Sequence, residues 1–595
     1  MCPSRKMNRP GYANAGGSIG RVGPRREVTF VFSKVLIANR GEIAVRVART
    51  CRELDVATVA VYSDVDADAR HVAAATEAVH LPGVSPAETY LNVEAIVEAA
   101  HATGAEAVHP GYGFLSEQAG AAEAFHAAGL VWIGPPPDAL RAAGDKVQAR
   151  RLARSAGVDP VPGTTDPVTG PDHVRAFAEE HGFPVAIKAA GGGGGRGLKQ
   201  VEAAGDIEAA FDSAVREASA YFGSDEVYVE RYLARPKHVE VQVLAPGRGH
   251  TAWLGARDCS LQRRHQKIVE ETPPPSFGEL VPAMGNAAVR VADACGYVNA
   301  GTVEFLIDTD PPGGAFYFLE VNARLQVEHT ITEEVLGIDL VAAQLRIASG
   351  DPLGFDPSVL APRGHAIECR INAEDPARGF LPAPGRITGY REPGGPGIRV
   401  DSGFGEGDEV PGAYDSLLAK LVAWGGTREE ARRRMLRALD EFRIEGLPTT
   451  ISAHRMLLDS PAFVDGTYTT TSIKDVDLAS LSSMTEEQAG PGILVVEGTP
   501  AALWHPAIAP FAASGGSGGS PDRGAVVAPM HGTILKILVS AGDSVETGDP
   551  VAVLEAMKME TFLAAPSDGI VASIDPEVGD VVEAGQIVAR ITDGR

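Results

Sequence analysis

The stretch after residue 523 repeats itself, and that repetition limits its fold more tightly than any other feature of the chain. At an offset of 37 residues, Ala528 and Pro529 recur as Ala565 and Pro566, and Gly532 as Gly569. Gly542 and Asp543 recur as Gly579 and Asp580, Val545 and Glu546 as Val582 and Glu583, and Gly548 as Gly585. Two equivalent β-halves are implied. Lys558 lies where the halves join, in AMKME, between the strand-like runs VAVLE and TFLAA. That placement predicts the tip of a hairpin. Lysines are mostly exposed, so a solvated turn lysine is the plain alternative. Flanking by Met557 and Met559 at the seam of a repeat sets Lys558 apart.

Upstream, periodicity fades between about Asp475 and Arg523 and ends in SGGSGGSPDRG, a flexible-tether composition. At 595 residues the chain exceeds one hydrophobic core, and several domains are expected. The formal charge of -25 opposes nonspecific attraction to nucleic acid or anionic lipid, so anionic substrates need local basic pockets. No apolar run approaches the length of a membrane span. Cys2, Cys51, Cys259, Cys295 and Cys369 lack CxxC spacing and fit neither a zinc site nor a disulfide framework, so a reducing cytoplasm is expected. Residues 1 to 32 are Gly- and Arg-rich with Glu27 their only acid and no continuous apolar segment. They read as a disordered extension, with a transit-type leader or a misplaced translation start as alternatives.

From Lys34, VLIAN, GEIAVRVARTCREL and ATVAVYS read as strand, amphipathic helix and strand, the opening of a parallel α/β unit. No GxGxxG follows the first strand, which disfavours a dinucleotide site there. Five glycines, Gly191 to Gly195, then stand between two strand-like runs and suggest a hairpin rather than a linker. A helix-rich stretch follows to about Gly350, then a third section with an amphipathic helix near Thr427 to Phe442.

Only 11 of the 53 basic residues are lysines, and four of them, Lys146, Lys188, Lys267 and Lys558, fall inside motifs. At those positions an ammonium or an acylable amine differs chemically from a guanidinium. A glycine hairpin has no side chains to block close approach, so its N–H groups can wrap phosphate oxygens, and Lys188 just before it can pair with phosphate. Glu320 and Asn322 share one face of a strand by period two, and Glu304 lies on another strand-like segment. Hard oxygen ligands so placed suit Mg2+ on nucleotide phosphates. Taken singly, each feature also has a bland explanation: an ordinary loop, a solvated strand end, or surface carboxylates in ion pairs.

Taken together, IANRGEIAVR (37 to 46), HPGYGFLSE (109 to 117), GDK (144 to 146), IKAAGGGGGRG (187 to 197), RDCSLQRRHQK (257 to 267), EVNARLQVEHTITEE (320 to 334), ECRINAEDP (368 to 376) and FLPAPG (380 to 385) closely resemble biotin carboxylase, an ATP-grasp enzyme. AMKME and its duplicated halves resemble a biotinyl carrier domain. The order of the two resembles the alpha subunits of bacterial acetyl- and propionyl-CoA carboxylases. This resemblance implies an α/β (α+β) multidomain chain. Its parts are a pre-ATP-grasp Rossmann-like domain (33–146), an ATP-grasp domain (147–349) and a biotin carboxylase C-terminal domain (350–475). A linker (476–523) and an all-β flattened-barrel biotinyl domain (524–594) complete it; apart from the resemblance, 476–512, with ILVV at 493–496 and Trp504, is a candidate for partner docking or for moving with the carrier, a partly disordered linker being the plain alternative.

Carried over residue by residue, the resemblance makes Lys146, Lys188, Gly194, Gly195, Glu230, Arg231, Leu233, His238 and His265 an ATP site, completed by Glu304 and Glu320. Glu304, Glu320 and Asn322 become ligands of Mg2+ or Mn2+. Lys267, Arg324, Gln326 and Val327 would hold bicarbonate, Glu328 would deprotonate it, and Arg370 would stabilise the biotin enolate. Tyr112 and Asp415 would lie near the biotin ring, and Lys558 would carry biotin covalently, attached by a biotin protein ligase. Two departures are visible: Arg231 stands where a Lys is common, which puts adenine-side contacts in doubt, and Ala323 replaces a Thr. The implied reaction uses ATP to convert bicarbonate to carboxyphosphate, a step that needs positioning and charge neutralisation.

Two rival functions were weighed. One is another ATP-grasp ligase, disfavoured by RRHQK and the carrier domain. The other is a lipoyl-like carrier fused to a regulatory nucleotide-binding module, disfavoured by intact charged residues at each catalytic position. Pyruvate carboxylase is similar at both ends, but the roughly 50 residues between the two regions are too few for a barrel of about 250. A separate carboxyltransferase beta subunit, an oligomeric assembly and a cytoplasmic location are therefore expected, with no nucleic-acid or membrane partner. Cys259 and Cys369 read as packed thiols, since no positioned base is evident.

Overall fold

A computed structural model of the chain describes residues 32–164, 166–189, 198–222, 225–247, 249–263, 266–481, 493–496, 499–502, 524–528, 532–556, 559–582 and 585–592. Gly194, Gly195, His265 and Lys558 lie outside these residues, as do 1–31 and 503–523, so the expected glycine hairpin, leader and tether lie outside them too. Phe32, at the end of the expected extension, is buried in the core.

The first unit is a five-stranded parallel sheet in the order Glu77–His80, Ala57–Tyr62, Lys34–Ile37, Ala107–His109, Val131–Trp132. Strand order reverses between Lys34–Ile37 and Ala107–His109, and the loops leaving their carboxyl ends face each other at this switch point, the usual ligand crevice of such sheets. Asn39 ties the loops together, its Nδ2 donating to the carbonyls of Pro110 (2.7 Å) and Tyr112 (2.8 Å). Gly111 is required here: its φ is +62°, and a Cβ would stand 2.8 Å from Asn39 Nδ2.

Two sheets follow. The smaller joins Leu198–Val201, Val185–Ala189 and Val227–Arg231, with its apolar face covered by helices Pro171–His181 and Ile207–Phe222. The larger has eight strands in the order Ala315–Asn322, Asn299–Asp308, Lys237–Ala245, Ala252–Arg263, Gln266–Thr272, His365–Asn372, Leu417–Gly425, Ile398–Ser402. It runs without a break from the ATP-grasp region into the section after residue 350, through pairs such as Val269 with Cys369.

The C-terminal repeat folds as two four-stranded sheets. One holds Ala525–Val527, Ile587–Thr592, Gly569–Ile574 and Ser544–Val545; the other holds Met559–Ala564, Pro550–Ala556, Gly532–Ile537 and Val581–Val582. Shifted by 37 residues, each strand of one sheet falls on or overlaps a strand of the other, so every sheet mixes strands from both halves. The shared core shows the same pairing: Ile534 with Val571, Val545 with Val582, Val551 with Val588, Ala552 with Ala589 and Leu554 with Ile591 are all buried. The strands on either side of Lys558 pair antiparallel, Ala556 opposite Met559. Within the stretch of faded periodicity, Ile493–Val496 pairs antiparallel with Thr499–Ala502. No helix among the described residues is long and apolar enough to cross a membrane.

Candidate active site

A cavity of about 700 Å³ opens between the smaller sheet and the face of the larger one. Lys146, Lys188, Glu230, Arg231, Leu233, His238, Lys267, Glu304, Glu320, Asn322, Arg324, Gln326, Val327 and Arg370 line it. Residues read from separate motifs thus converge on one space.

At one end, the hairpin of Asn299–Asp308 and Ala315–Asn322 sets Glu304 opposite Glu320 and Thr302 opposite Asn322. Like charges directly opposed on a sheet repel and call for a cation. With Asn322 two residues on, the set supplies the hard oxygens that Mg2+ takes, so these residues fit the ion expected from the sequence. Lys146 comes from helix Lys146–Ser155, whose N-terminus is capped by Asp145 accepting from the backbone N–H of Val147 (2.9 Å) and Gln148 (3.0 Å). That cap fixes Lys146 at the first helical position, with its Nζ 3.4 Å from Glu320.

Deeper in, Lys267 Nζ donates to Glu240, Glu304 and Glu328, each at 2.7 Å. Each carboxylate has another basic partner: Arg257 for Glu240, Arg370 for Glu328 at 2.9 Å, and for Glu304, at 2.8 Å, the His238 imidazole, which Glu304 holds above its ordinary value against burial. Burial pushes the Glu328 carboxyl up, but Lys267, Arg370 and Arg257 outweigh it and hold the group well below the usual carboxylate range. Glu304 is held down likewise, by Lys267 and His238 against burial. Arg370 also donates through Nε to Glu270 at 2.7 Å. There burial prevails over the guanidinium and leaves Glu270 above the ordinary range. Glu240, Cys259 and Glu328 cluster closely enough to suggest metal ligands, but the Lys267 ammonium is bonded to both carboxylates and is the cation of that spot. The Cys259 thiol is pushed well up, chiefly by burial, in keeping with a packed thiol.

Arg324 donates through Nε to Glu117 at 3.0 Å and through Nη1 to Gln326 Oε1 at 2.8 Å. The Val327 carbonyl accepts from the buried Lys420 Nζ at 3.0 Å, and Lys420 also pairs with Glu42 at 3.2 Å. At the opposite end Lys188 contacts Glu230, which Arg150 also reaches at 2.9 Å. Arg231 pairs with Asp308 and lies over the Tyr317 ring at 5.9 Å. Tyr112 and Asp415 are not among the residues lining the cavity: Tyr112 packs at the switch point, with Lys420 Nζ 5.8 Å from its ring centroid, and Asp415 accepts from the Leu417 N–H at 3.1 Å.

Glu240, Glu270, Arg257, Glu117 and Lys420 were missed as site residues. Arg257 and Glu117 stand inside quoted motifs, and Glu270 follows Lys267 by three positions in QKIVEE, a carboxylate in an otherwise buried strand. That pattern is the one signal that could have marked it.

Comparison with known proteins matches residues 31–140 to the biotin carboxylase N-terminal domain, 145–355 to the carbamoyl-phosphate synthase L chain ATP-binding domain, 368–475 to the biotin carboxylase C-terminal domain and 520–591 to the biotin-requiring enzyme domain. The biotin-dependent acyl-coenzyme A carboxylase alpha3 subunit of Mycobacterium leprae is 45% identical over 594 residues, 94% of this chain and 98% of that one. Biotin carboxylase of Haemophilus influenzae is 48% identical over 440 residues, 73% of this chain and 97% of the relative. Among solved structures, the Campylobacter jejuni biotin carboxylase complex superposes with a TM-score of 0.71 at 40% identity, covering 75% of this chain and 99% of that one. The biotin carboxylase domain of Hydrogenobacter thermophilus 2-oxoglutarate carboxylase gives 0.71 at 42% identity, covering 76% and 100%. With two biotin carboxylase regions, an ATP-binding region between them and a biotin-requiring enzyme domain on one polypeptide, the chain belongs to the biotin carboxylase family, in the arrangement of an acyl-CoA carboxylase alpha subunit.

Proposed function

We propose that this chain uses ATP and bicarbonate, through carboxyphosphate, to carboxylate biotin carried on its own Lys558, and serves a separate carboxyltransferase beta subunit that acts on an acyl-CoA. The observation that carries the reading is the placement of Lys267, Glu328 and Arg370 at the inner end of a nucleotide-sized cavity, beside the Glu304 and Glu320 pair. A solved relative, 42% identical, was crystallised with MgADP and bicarbonate.

Lys146 and Lys188 would neutralise ATP phosphates, and Glu304, Glu320 and Asn322 would hold Mg2+, which when bound would offset the negative charge of the transferring phosphoryl group. Lys267, Arg324, Gln326 and the Val327 backbone would orient bicarbonate for attack on the γ-phosphorus, with ADP leaving. Glu328 would take the bicarbonate proton. Held far down by its present partners, Glu328 is a weak base. Its basicity rises once Lys267 and Arg370 turn their charge toward the substrate, so proton abstraction is coupled to binding. Arg370 would then face the anion that develops on the acceptor. Biotin, once attached through Lys558, supplies the ureido nitrogen that takes up the carboxyl group. The partner subunit and an oligomeric assembly belong to the same reading, supported by the relative's description as a subunit; a cytoplasmic location goes with it.

The test is mass spectrometry of the chain coexpressed with a biotin protein ligase, together with bicarbonate-dependent ADP release. Biotin on Lys558, lost in Lys558→Arg while free-biotin-dependent ADP release persists, is expected, because guanidinium does not offer the nucleophilic amine. An unmodified Lys558 would remove the carrier half of the reading.

A further inference from the structure

Glu230 is a carboxylate with two cations, and the two are anchored unequally. Its side chain is 9% exposed, and it meets Lys188 from the smaller sheet and Arg150 Nη1 at 2.9 Å from helix Lys146–Ser155. Lys188 is 34% exposed, an unbranched ammonium on a flexible stem. Arg150 is clamped: its second nitrogen, Nη2, donates to the Val161 carbonyl at 3.0 Å, so the guanidinium is held between a carboxylate and a backbone oxygen. The base of the Glu230 side chain is held by Gly163, which bridges to it across the strand edge so closely that a Cβ at 163 would stand 2.7 Å from Glu230 Cβ. Lys146 and Arg150 are four residues apart on one helical face, so a single helix sends one cation toward Glu320 and the other to Glu230.

An arriving nucleotide changes this balance. Lys188 must turn from Glu230 to the phosphates, which would leave a nearly fully buried carboxylate without its ammonium. A buried charge deprived of its partner is strongly unfavourable. Burial pushes the Glu230 carboxyl up, and Lys188 and Arg150 together bring it below the ordinary range. With Lys188 gone, Arg150 is the cation left in contact.

We propose that Arg150 is a positioning residue for ATP binding: it keeps Glu230 paired and in place when Lys188 turns to the nucleotide phosphates, and so releases Lys188 for that task. The proposal rests on the reading that Lys188 binds phosphate.

The experiment measures KM for ATP, KM for bicarbonate and kcat for free-biotin-dependent ADP release in Arg150→Met, Arg150→Lys, Glu230→Gln and the Arg150→Met/Glu230→Gln double variant. In Arg150→Met, departure of Lys188 orphans Glu230, so KM for ATP should rise roughly tenfold, a figure discounted for the partial exposure of Arg150, with KM for bicarbonate unchanged. Arg150→Lys keeps a positive charge and should fall between the two. A neutral amide at position 230 needs no counter-ion, so the double variant should show no rise in KM for ATP beyond that of Glu230→Gln alone. Arg150→Gln carries the same expectation as Arg150→Met and serves if the latter does not fold. An unchanged KM for ATP in the uncharged variants, or an effect of the same size in the Glu230→Gln background, overturns the role of Arg150. A wild-type chain that releases no ADP with bicarbonate and biotin overturns instead the function on which it rests.

Discussion

Lys267→Met removes one ammonium and three hydrogen bonds of 2.7 Å from a cluster in which Glu240, Glu304 and Glu328 each retain another basic partner. At roughly 1.5–3 kcal/mol for a charge-assisted bond, simple addition gives about 5–9 kcal/mol. Neighbouring contributions are not additive, and breaking one buried pair costs about 3–5 kcal/mol, which we take as the expected loss near pH 8. The deficit should depend on pH. In the wild type Glu304 and Glu328 lie below the ordinary range, their cations outweighing burial. Without Lys267 both rise, so the folded variant holds more protons on its carboxyls than the folded wild type, while the unfolded chains hold the same number there; the Lys267 proton, bound in both states of the wild type across this range, cancels. Relative stability therefore falls as pH rises, and the deficit should be smaller near pH 5.5 than near pH 8. Glu240, already raised by burial, acts in the same direction. Urea unfolding followed by tryptophan fluorescence at the two pH values measures the effect, and bicarbonate-dependent ADP release should be lost in parallel. A deficit below about 1 kcal/mol near pH 8, or one as large near pH 5.5, would refute the charge reasoning.

Glu320→Gln should raise the Mg2+ concentration needed for half-maximal ATP cleavage without unfolding the chain, since an amide ligates Mg2+ less well than a carboxylate and Glu320 is 35% exposed; an unchanged Mg2+ titration counts against the metal assignment. Arg370→Ala should lower carboxylation of free biotin by about 10²-fold or more and bicarbonate-dependent ATP cleavage by less, because only the former needs an anion stabilised on the acceptor. Equal losses, measured as carboxylated biotin against ADP, would move Arg370 into the bicarbonate step.

What the sequence could show follows from how each feature is encoded. Glu320 and Asn322 on one face needed only the two-residue period of a strand. Glu304 opposite Glu320 needed the register of the hairpin, which depends on the turn at Gly313 and Gly314 and on an irregularity after Glu304. The 37-residue repeat likewise declares which strands are equivalent but not which of them share a sheet; that was settled by closure of one core from residues such as Ile534 and Val571. Arg231 was legible as a departure but not in its consequence: pairing with Asp308, 77 positions away, draws it to a partner on the adjoining sheet. Glu240 and Glu270 escaped notice because a carboxylate in an apolar strand reads as an interruption until its cation arrives from another strand, Lys267 from the next but one and Arg370 from the adjacent one.

The same cluster answers a difficulty raised by composition. A chain with a formal charge of -25 must still gather two anions, bicarbonate and a nucleotide, in one cavity. Lys267 and Arg370 lie on adjacent strands of the continuous eight-stranded sheet, Gln266–Thr272 and His365–Asn372, so their spacing is set by backbone pairing rather than by a loop. Each is matched by buried carboxylates, so neither charge stands bare in a low-dielectric wall before substrate arrives. The balance is incomplete at one point: burial holds Glu270 above the ordinary carboxylate range, so it offsets less of the Arg370 charge than a fully ionised acid would. An anion entering there meets a guanidinium whose positive field is only partly cancelled and whose strand is paired on both sides in the sheet. Rigid charge belongs to the larger sheet, while Lys188 and the strand leading into the glycine run belong to the smaller one. On the proposed reading, bicarbonate would meet the eight-stranded sheet, which pairing holds still, and the nucleotide phosphates a separate sheet of three strands.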